Sequence, residues 1–261
     1  VGHNPSAIAT EDINHEGSPD LASAIATADF NHDGKLDLAV ASRDDSSVSV
    51  LLGNGNGIFR PAPGSPIVFP EESYPVTFHR QVFNGKTYVA QADTQEETTS
   101  STTYDLAVGD FNHDGAPDLA VTAGLGDVHI LLGNGDGSFT EAPTSPIFVG
   151  APPSTDGSVW MESVYPAQIV AGDFNHDGRL DLAVTDLDNH SVDVLLGDGF
   201  GGFHPAPGSP YDVGDQPVSL VAGDFRHTGR SDLAALTDAG SIAVLLSQDL
   251  SPASHSSRKS P

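Results

Sequence analysis

The chain repeats itself, and internal repetition narrows the folds open to a sequence more than any other single feature. Three stretches align along their whole length. Residues 24–66 read AIATADFNHDGKLDLAVASRDDSSVSVLLGNGNGIFRPAPGSP, residues 105–146 read DLAVGDFNHDGAPDLAVTAGLGDVHILLGNGDGSFTEAPTSP, and residues 168–210 read QIVAGDFNHDGRLDLAVTDLDNHSVDVLLGDGFGGFHPAPGSP. A fourth stretch, 219–248, carries the first half of the unit and then stops. From the first Asp of the acidic loop to the residue after Leu-Leu the spacing is 24, 23, 24 and 23 residues, so one structural unit is used four times.

Each unit reads as a short strand, an acidic loop, a strand, a turn, a third strand, a Gly-rich turn and a final extended piece. Alternation in VSVLL and DLAVA fits strands, and the Asn-Gly and Asp-Gly pairs supply the positive-φ residues of hairpins. The last piece, FRPAPGSPI or FHPAPGSPY, is proline-rich and unable to donate along a ladder, which assigns it to an edge. Four antiparallel strands with such an edge make a propeller blade. The expected fold is therefore all-β: a β-propeller, or part of one, with about four to five four-stranded blades carrying calcium loops.

On the strings DFNHDGxxDLAV and LLGNGDGSF the units resemble the FG-GAP/VCBS repeat family, the calcium-loop blades also found in the propeller of integrin α subunits. The resemblance covers roughly residues 22–70, 103–150 and 165–248. It implies a β-propeller, an extracytoplasmic setting, and adhesion or ligand binding. The chain departs from the family in length, since those propellers commonly have seven blades and the sequence here supplies about four.

The loop Asp-x-Asn-x-Asp-Gly-x-x-Asp suits a hard cation that takes six to eight oxygens. Positions 1, 3, 5 and 9 offer side chains, position 7 a carbonyl, and the glycine at 6 the sharp turn. The first expected site is Asp29, Asn31, Asp33, the carbonyl of Lys35, and Asp37. The second is Asp110, Asn112, Asp114, the carbonyl of Ala116, and Asp118. The third is Asp173, Asn175, Asp177, the carbonyl of Arg179, and Asp181. A degraded copy, Asp12, Asn14, Glu16, the carbonyl of Ser18 and Asp20, keeps oxygen at every position and makes a fourth site plausible. At Asp224 the ligand positions hold Arg226 and Thr228, and Arg226 is expected to replace the ion with its own charge. A histidine at position 4 of every loop (His15, His32, His113, His176, His227) is expected to point away from the ion, toward solvent or a neighbouring blade.

Residues 6–22 match residues 23–39 at 12 of 17 positions, so a half-blade precedes the first full unit. The expected division is a partial repeat over 1–22, blade repeats over 23–70, 103–150 and 151–216, an insertion over 71–102, an incomplete blade over 217–248, and a disordered tail over 249–261. FHRQVFNGKTYVAQ in the insertion suits a hairpin, with a loose loop as the alternative.

Composition excludes several partners. With 36 acidic against 10 basic residues, for a net charge of −26, the surface repels nucleic-acid phosphates and anionic lipid. No apolar run approaches the roughly 20 residues that span a bilayer. There is no cysteine, hence no disulfide or thiolate metal site. No nucleophile elbow, Walker loop or HExxH is present, and the abundance of paired carboxylates removes their value as a glycosidase signal. Trp160, with Tyr165 and Tyr211, offers either a sugar-stacking contact or a plug between blades. Asn189-His-Ser191 is a sequon on an expected turn, and the Thr/Ser cluster at 98–103 is a weak O-glycan signal. The leading expectation is a calcium-stabilised, non-enzymatic binding or adhesion module, extracellular or at the cell surface, whose partner is a protein, a glycan or copies of itself. A self-assembling structural subunit using open blade edges and the N-terminal half-blade is the second reading. A propeller domain of a polysaccharide-degrading enzyme is the third.

Overall fold

Strands form where Val, Leu, Ile and Ala alternate, and they stop wherever the acidic loop or the Gly-rich turn interrupts them. In the computed structural model the described residues are 22–43, 45–69, 103–124, 126–149, 166–187 and 189–247, with the backbone alone over 72–83 and 88–99. The first sheet comprises β1 (Ala22–Ala28), β2 (Asp37–Ser42), β3 (Ser47–Gly53), β4 (Phe59–Pro61) and β5 (Ile67–Val68). Strands β1, β2 and β3 follow one another antiparallel, and β4 and β5 both pair with the outer side of β3. The outermost strand of the blade is thus one strand broken in two.

The same plan recurs twice. β8 (Thr103–Gly109), β9 (Asp118–Ala123), β10 (Asp127–Gly133), β11 (Phe139–Glu141) and β12 (Ile147–Phe148) make the second sheet. β13 (Pro166–Gly172), β14 (Asp181–Asp186), β15 (Ser191–Gly197), β16 (Phe203–Pro205) and β17 (Tyr211–Asp212) make the third. Among the described residues the fourth sheet has three strands, β18 (Pro217–Gly223), β19 (Asp232–Thr237) and β20 (Ile242–Leu245), without an outer piece. Between the first and second sheets, β6 (Glu72–Phe83) and β7 (Tyr88–Thr99) pair over twelve residues, so the insertion takes its hairpin form. Among the described residues the four sheets do not close a ring.

The break in the outer strand is where the prolines sit. Proline 66, 146 or 210 cannot donate to the ladder, and the serine before it repairs the gap. Ser65 Oγ accepts the Val50 N–H at 2.9 Å, Ser145 Oγ that of Ile130 at 3.1 Å, and Ser209 Oγ that of Val194 at 3.0 Å. The neighbouring alanine closes the other half, with Ala62, Ala142 and Ala206 N–H groups donating to the carbonyls of those same three residues. The motif Ala-x-x-Ser-Pro therefore keeps the third strand satisfied across a discontinuity.

The sheets stack face to face through their inner strands, and each junction has its own apolar core. The first joins Val48, Val50 and Leu52 to Leu106, Leu119 and Val121. The second joins Val128 and Ile130 to Ile169, Leu182 and Val184, and the third joins Val192 and Val194 to Leu220 and Leu233. The central strands β9 and β14 are consequently buried at every residue, on both faces. Polar groups also cross the junctions. Ser23 Oγ donates to the Thr103 carbonyl and Thr103 Oγ1 to that of Ser42, at 3.0 and 2.7 Å. Asp105 Oδ2 accepts the Ile169 N–H at 3.1 Å, and Gln168 Oε1 accepts the Leu220 N–H at 2.8 Å.

Candidate metal centre

Each acidic loop joins the first strand of a sheet to the second and is tied by its own side chains. In the first loop the two oxygens of Asp29 accept the N–H groups of Asp33 and Gly34, at 3.0 and 2.8 Å. The Asp33 N–H is shared with Asn31 Oδ1 at 3.0 Å, so oxygens from positions 1 and 3 converge on one donor. Asp33 Oδ1 accepts the Lys35 N–H at 3.0 Å. The second loop repeats this through Asp110, Asn112, Asp114 and Ala116, and the third through Asp173, Asn175, Asp177 and Arg179. The glycine at position 6 has φ between 81° and 91° in the three loops, in the left-handed region that the turn requires.

Position 9 serves differently. Asp37, Asp118 and Asp181 are fully buried, and each carboxylate bridges two segments of backbone. One oxygen accepts the N–H of the phenylalanine at position 2 (Phe30, Phe111 or Phe174), at 2.7–2.9 Å. The other accepts the N–H of the glycine ending the third strand (Gly53, Gly133 or Gly197), at 2.7–3.0 Å. That glycine cannot be replaced cheaply: a Cβ there would stand 2.2–2.3 Å from the carbonyl oxygen at position 8. The position-9 aspartate is thus a staple between loop and third strand. This role was not read from the sequence, although the nearly constant spacing of 23 or 24 residues from loop to Leu-Leu-Gly was its trace.

The electrostatics join the staple to the rest of the loop. Burial pushes the carboxyls of Asp118 and Asp181 up to about 6, and repulsion from Asp114 and Asp110 adds to the effect at Asp118. At Asp181 the added repulsion comes from Asp177. Oxygens at positions 1 and 3 share the position-5 N–H, position 5 accepts the position-7 N–H, and Asp118 and Asp181 at position 9 lie within electrostatic reach of loop carboxylates. Among the described residues, however, no group of three or more histidine, aspartate or glutamate side chains is drawn tightly enough to hold a metal. The donor set is hard oxygen throughout and fits calcium in kind, although Asp181 Oδ2 already accepts the Asn175 N–H at 3.2 Å besides that of Phe174.

The loops differ in local counter-charge. Lys35 Nζ lies 2.9 Å from Asp33 Oδ2 and is the chief reason the Asp33 carboxyl falls below its ordinary value. Arg179 approaches Asp177 at 3.6 Å, whereas position 7 of the second loop is the neutral Ala116. In the fourth loop the guanidinium of Arg226 grips the buried Asp232 through two bonds, Nε to Oδ2 at 3.2 Å and an Nη to Oδ1 at 2.8 Å. It replaces the phenylalanine N–H that holds the staple elsewhere and lowers the Asp232 carboxyl. The expected substitution of an internal cation at this loop is present. The copy formed by Asp12, Asn14, Glu16, Ser18 and Asp20 lies outside the described residues, as do Trp160, Tyr165 and the tail.

The position-4 histidines occupy left-handed backbone, with φ of 56°, 59°, 63° and 55° at His32, His113, His176 and His227. Two of their rings meet the next sheet: a Cβ at Gly135 would come within 3.2 Å of the His32 ring, and one at Gly199 within 3.1 Å of His113. The Gly137 and Gly201 N–H groups donate to the carbonyls of Phe30 and Phe111, at 3.0 and 3.1 Å. The first and second acidic loops are therefore docked on the Gly-rich turn of the following sheet.

Residues 29–79, 110–184 and 173–235 match the model of the FG-GAP-like repeat, and together they cover more than half of the chain. A comparison with curated proteins found no match. Among solved structures the chain is similar to BBS1N, crystallised in complex with ARL6DN and soaked with lead. The identity is 16%, the TM-score 0.37, and the match covers 86% of this chain and 68% of that one. The same complex soaked with mercury gives 17% identity and the same score and coverage. The V. cholerae biofilm matrix protein Bap1 is similar at 16% identity and a TM-score of 0.35, over 90% of this chain and 32% of that one. The family matches begin on Asp29, Asp110 and Asp173, the first aspartates of the three complete loops, and run through the strands that follow, and the chain belongs to the FG-GAP-like repeat family.

Proposed function

We propose that this chain is a calcium-stabilised, non-enzymatic binding or adhesion module of an extracellular or cell-surface protein. The supporting observation is the threefold recurrence of one loop geometry in which oxygens at positions 1 and 3 converge on the position-5 N–H, with a buried carboxylate at position 9. Uncompensated, these like charges oppose folding. A dication among them would turn that repulsion into binding energy available to the folded state alone. The partner is a protein or a glycan, bound on a scaffold that calcium stiffens.

The test is a calcium titration followed by calorimetry and thermal melting, with and without EGTA. Calcium should raise the melting temperature, and the second loop should bind most tightly because Ala116 leaves no competing ammonium. Single variants Asp33→Asn, Asp114→Asn and Asp177→Asn report which loop carries the strongest site. An unchanged melt in excess EGTA, with no heat of binding, would sink the reading.

A second reading, a self-assembling structural subunit, is favoured by one specific observation: apolar side chains stand exposed on the two end sheets of the stack. Mass measurement in solution separates it from a monomeric module.

A further inference from the structure

A cavity of about 200 Å³ opens between the first acidic loop and the Gly-rich turn of the same sheet. The loop lines it with Asn31, Asp33 and Lys35, and the turn with Asn54 and Ile58. Phe59 and Arg60 of β4 complete the wall, and the buried Leu52 contributes from β3. Ile58 and Phe59 are 63% and 40% exposed, so the apolar part of the wall is open to a ligand.

The second and third sheets do not repeat this surface. Register places Phe139 and Phe203 where Phe59 stands, each opposite the glycine that ends the third strand. Those two rings pack edge-on against the phenylalanine of the preceding loop, Phe139 on Phe30 and Phe203 on Phe111, with centroids 5.5 Å apart. Among the described residues no aromatic ring covers Phe59. Its neighbours differ as well: Ile58 and Arg60 give way to Ser138 and Thr140 in the second sheet, and to Gly202 and His204 in the third. The loop side is also particular to the first sheet. In the second and third loops the asparagine amide donates to the position-5 carboxylate, at 2.9 and 3.1 Å. In the first loop Lys35 takes that oxygen, and no described residue accepts from the Asn31 amide.

The charges in the cavity do not cancel. Lys35 Nζ matches Asp33 Oδ2 at 2.9 Å, which leaves the Arg60 guanidinium as the surplus cation. Among the described residues no carboxylate pairs with Arg60. The net charge of −26 does not decide the local field, because screening at physiological salt acts over about 8 Å and a ligand responds to the groups that line the cavity. A guanidinium presents a fork of donors that matches a carboxylate, and an amide both donates to and accepts from hydroxyls. The volume lies below the roughly 300–1,000 Å³ of pockets for drug-sized molecules, which sets the ligand at about one sugar ring. Resting on the binding-module reading above, we propose that this cavity holds a sugar residue bearing a carboxylate. Arg60 takes the carboxylate, Asn31 and Asn54 the hydroxyls, and Phe59 the apolar face of the ring.

An NMR titration of the isotope-labelled chain in calcium buffer tests this, with D-glucuronate as the probe and D-glucose and acetate as controls. Glucuronate should shift the amide signals of Asn31, Asn54 and Arg60, and each control should shift them far less. Arg60→Ala should weaken glucuronate binding about tenfold or more, the effect of losing a hydrogen bond to a charged group. Phe59→Ala should weaken it too, whereas Thr140→Ala, at the counterpart of Arg60 in the second sheet, should leave it unchanged. Circular dichroism checks that each variant is folded. Equal shifts from acetate would reduce the cavity to an anion patch and overturn the sugar; equal binding of glucose would overturn the part given to Arg60. Binding that survives Arg60→Ala lies elsewhere on the chain and overturns the site. A chain whose melt responds to EGTA but which binds no glucuronate overturns this site alone and leaves the calcium-stabilised module standing. A chain indifferent to EGTA that binds glucuronate through Arg60 sinks the calcium reading and keeps the site.

Discussion

At the scale of single residues, the position-9 aspartates have two duties that pull against each other. Asp118 holds two backbone N–H groups and Asp181 three, and each also stands close to other negative charge, Asp114 and Asp110 at Asp118 and Asp177 at Asp181. The fourth loop resolves the conflict with a covalently attached cation, Arg226, in bidentate contact with Asp232. Replacing Arg226 with alanine leaves Asp232 buried without its charge partner. Breaking such a pair costs roughly 3–5 kcal/mol, with the lower end expected here because the guanidinium is partly exposed. A melting curve of Arg226→Ala that overlays the wild type would contradict this account of the loop. Arg226→Lys should recover only part of the loss, because an ammonium cannot reproduce the two-pronged contact.

At the scale of the strand, the blade is held by side chains standing in for missing backbone. Prolines in the outer strand remove ladder donors, and Ser65, Ser145 and Ser209 accept the third-strand N–H groups that the break would orphan. Ser145→Ala should cost about 1–3 kcal/mol, the range for a buried donor left unpaired. The measurement is chemical denaturation of the variant beside Ser138→Ala, whose hydroxyl sits on the exposed Gly-rich turn. Equal midpoints for the two variants would remove the splice from the stability of the blade. The glycines at 53, 133 and 197 act at the same scale, since their lack of a Cβ lets the third strand reach the loop carbonyl and the staple close.

At the scale of the molecule, charge governs the response to pH. Asp118 and Asp181 have folded-state values raised to about 6, above the ordinary 3.8. A raised carboxyl favours folding while protonated, and that contribution is lost as pH rises through the folded value. In calcium-free buffer the melting temperature should therefore fall from about pH 4 to pH 6, between the ordinary and the folded value, reinforced by the self-repulsion of a chain with net charge −26. Calcium should lift stability more at pH 7 than at pH 5, because its ligands must be ionised. A calcium-free melt that is flat across this range would show that the buried carboxyls do not control stability.

Much of this was legible in the sequence for a plain reason: a repeat written four times makes spacing informative. The strand order, the hairpin in the insertion, the edge placement of the proline-rich piece and the charge that Arg226 brings into the fourth loop all follow from local pattern. Asp29, Asn31, Asp33 and their counterparts could be grouped because alternate residues of a tight loop turn the same way. The second bond of each staple could not be read so, because Gly53 meets Asp37 only after the second and third strands have paired. Nor could the docking of His32 and His113 on glycines of the next sheet, which depends on how far one sheet lies from another.

By itself, then, the sequence determined the blade, since hydrogen-bonding periodicity, turn chemistry and charge spacing are all encoded within some twenty-five residues. The tertiary structure decided which acids are ligand-like and which are structural, and which apolar faces are left open. Those outcomes depend on burial, and burial belongs to the stack of sheets. The acidic loop that repeats through the chain is the clearest case: its oxygens are set by local sequence, and its buried carboxylate is held by a strand that only the folded sheet brings near.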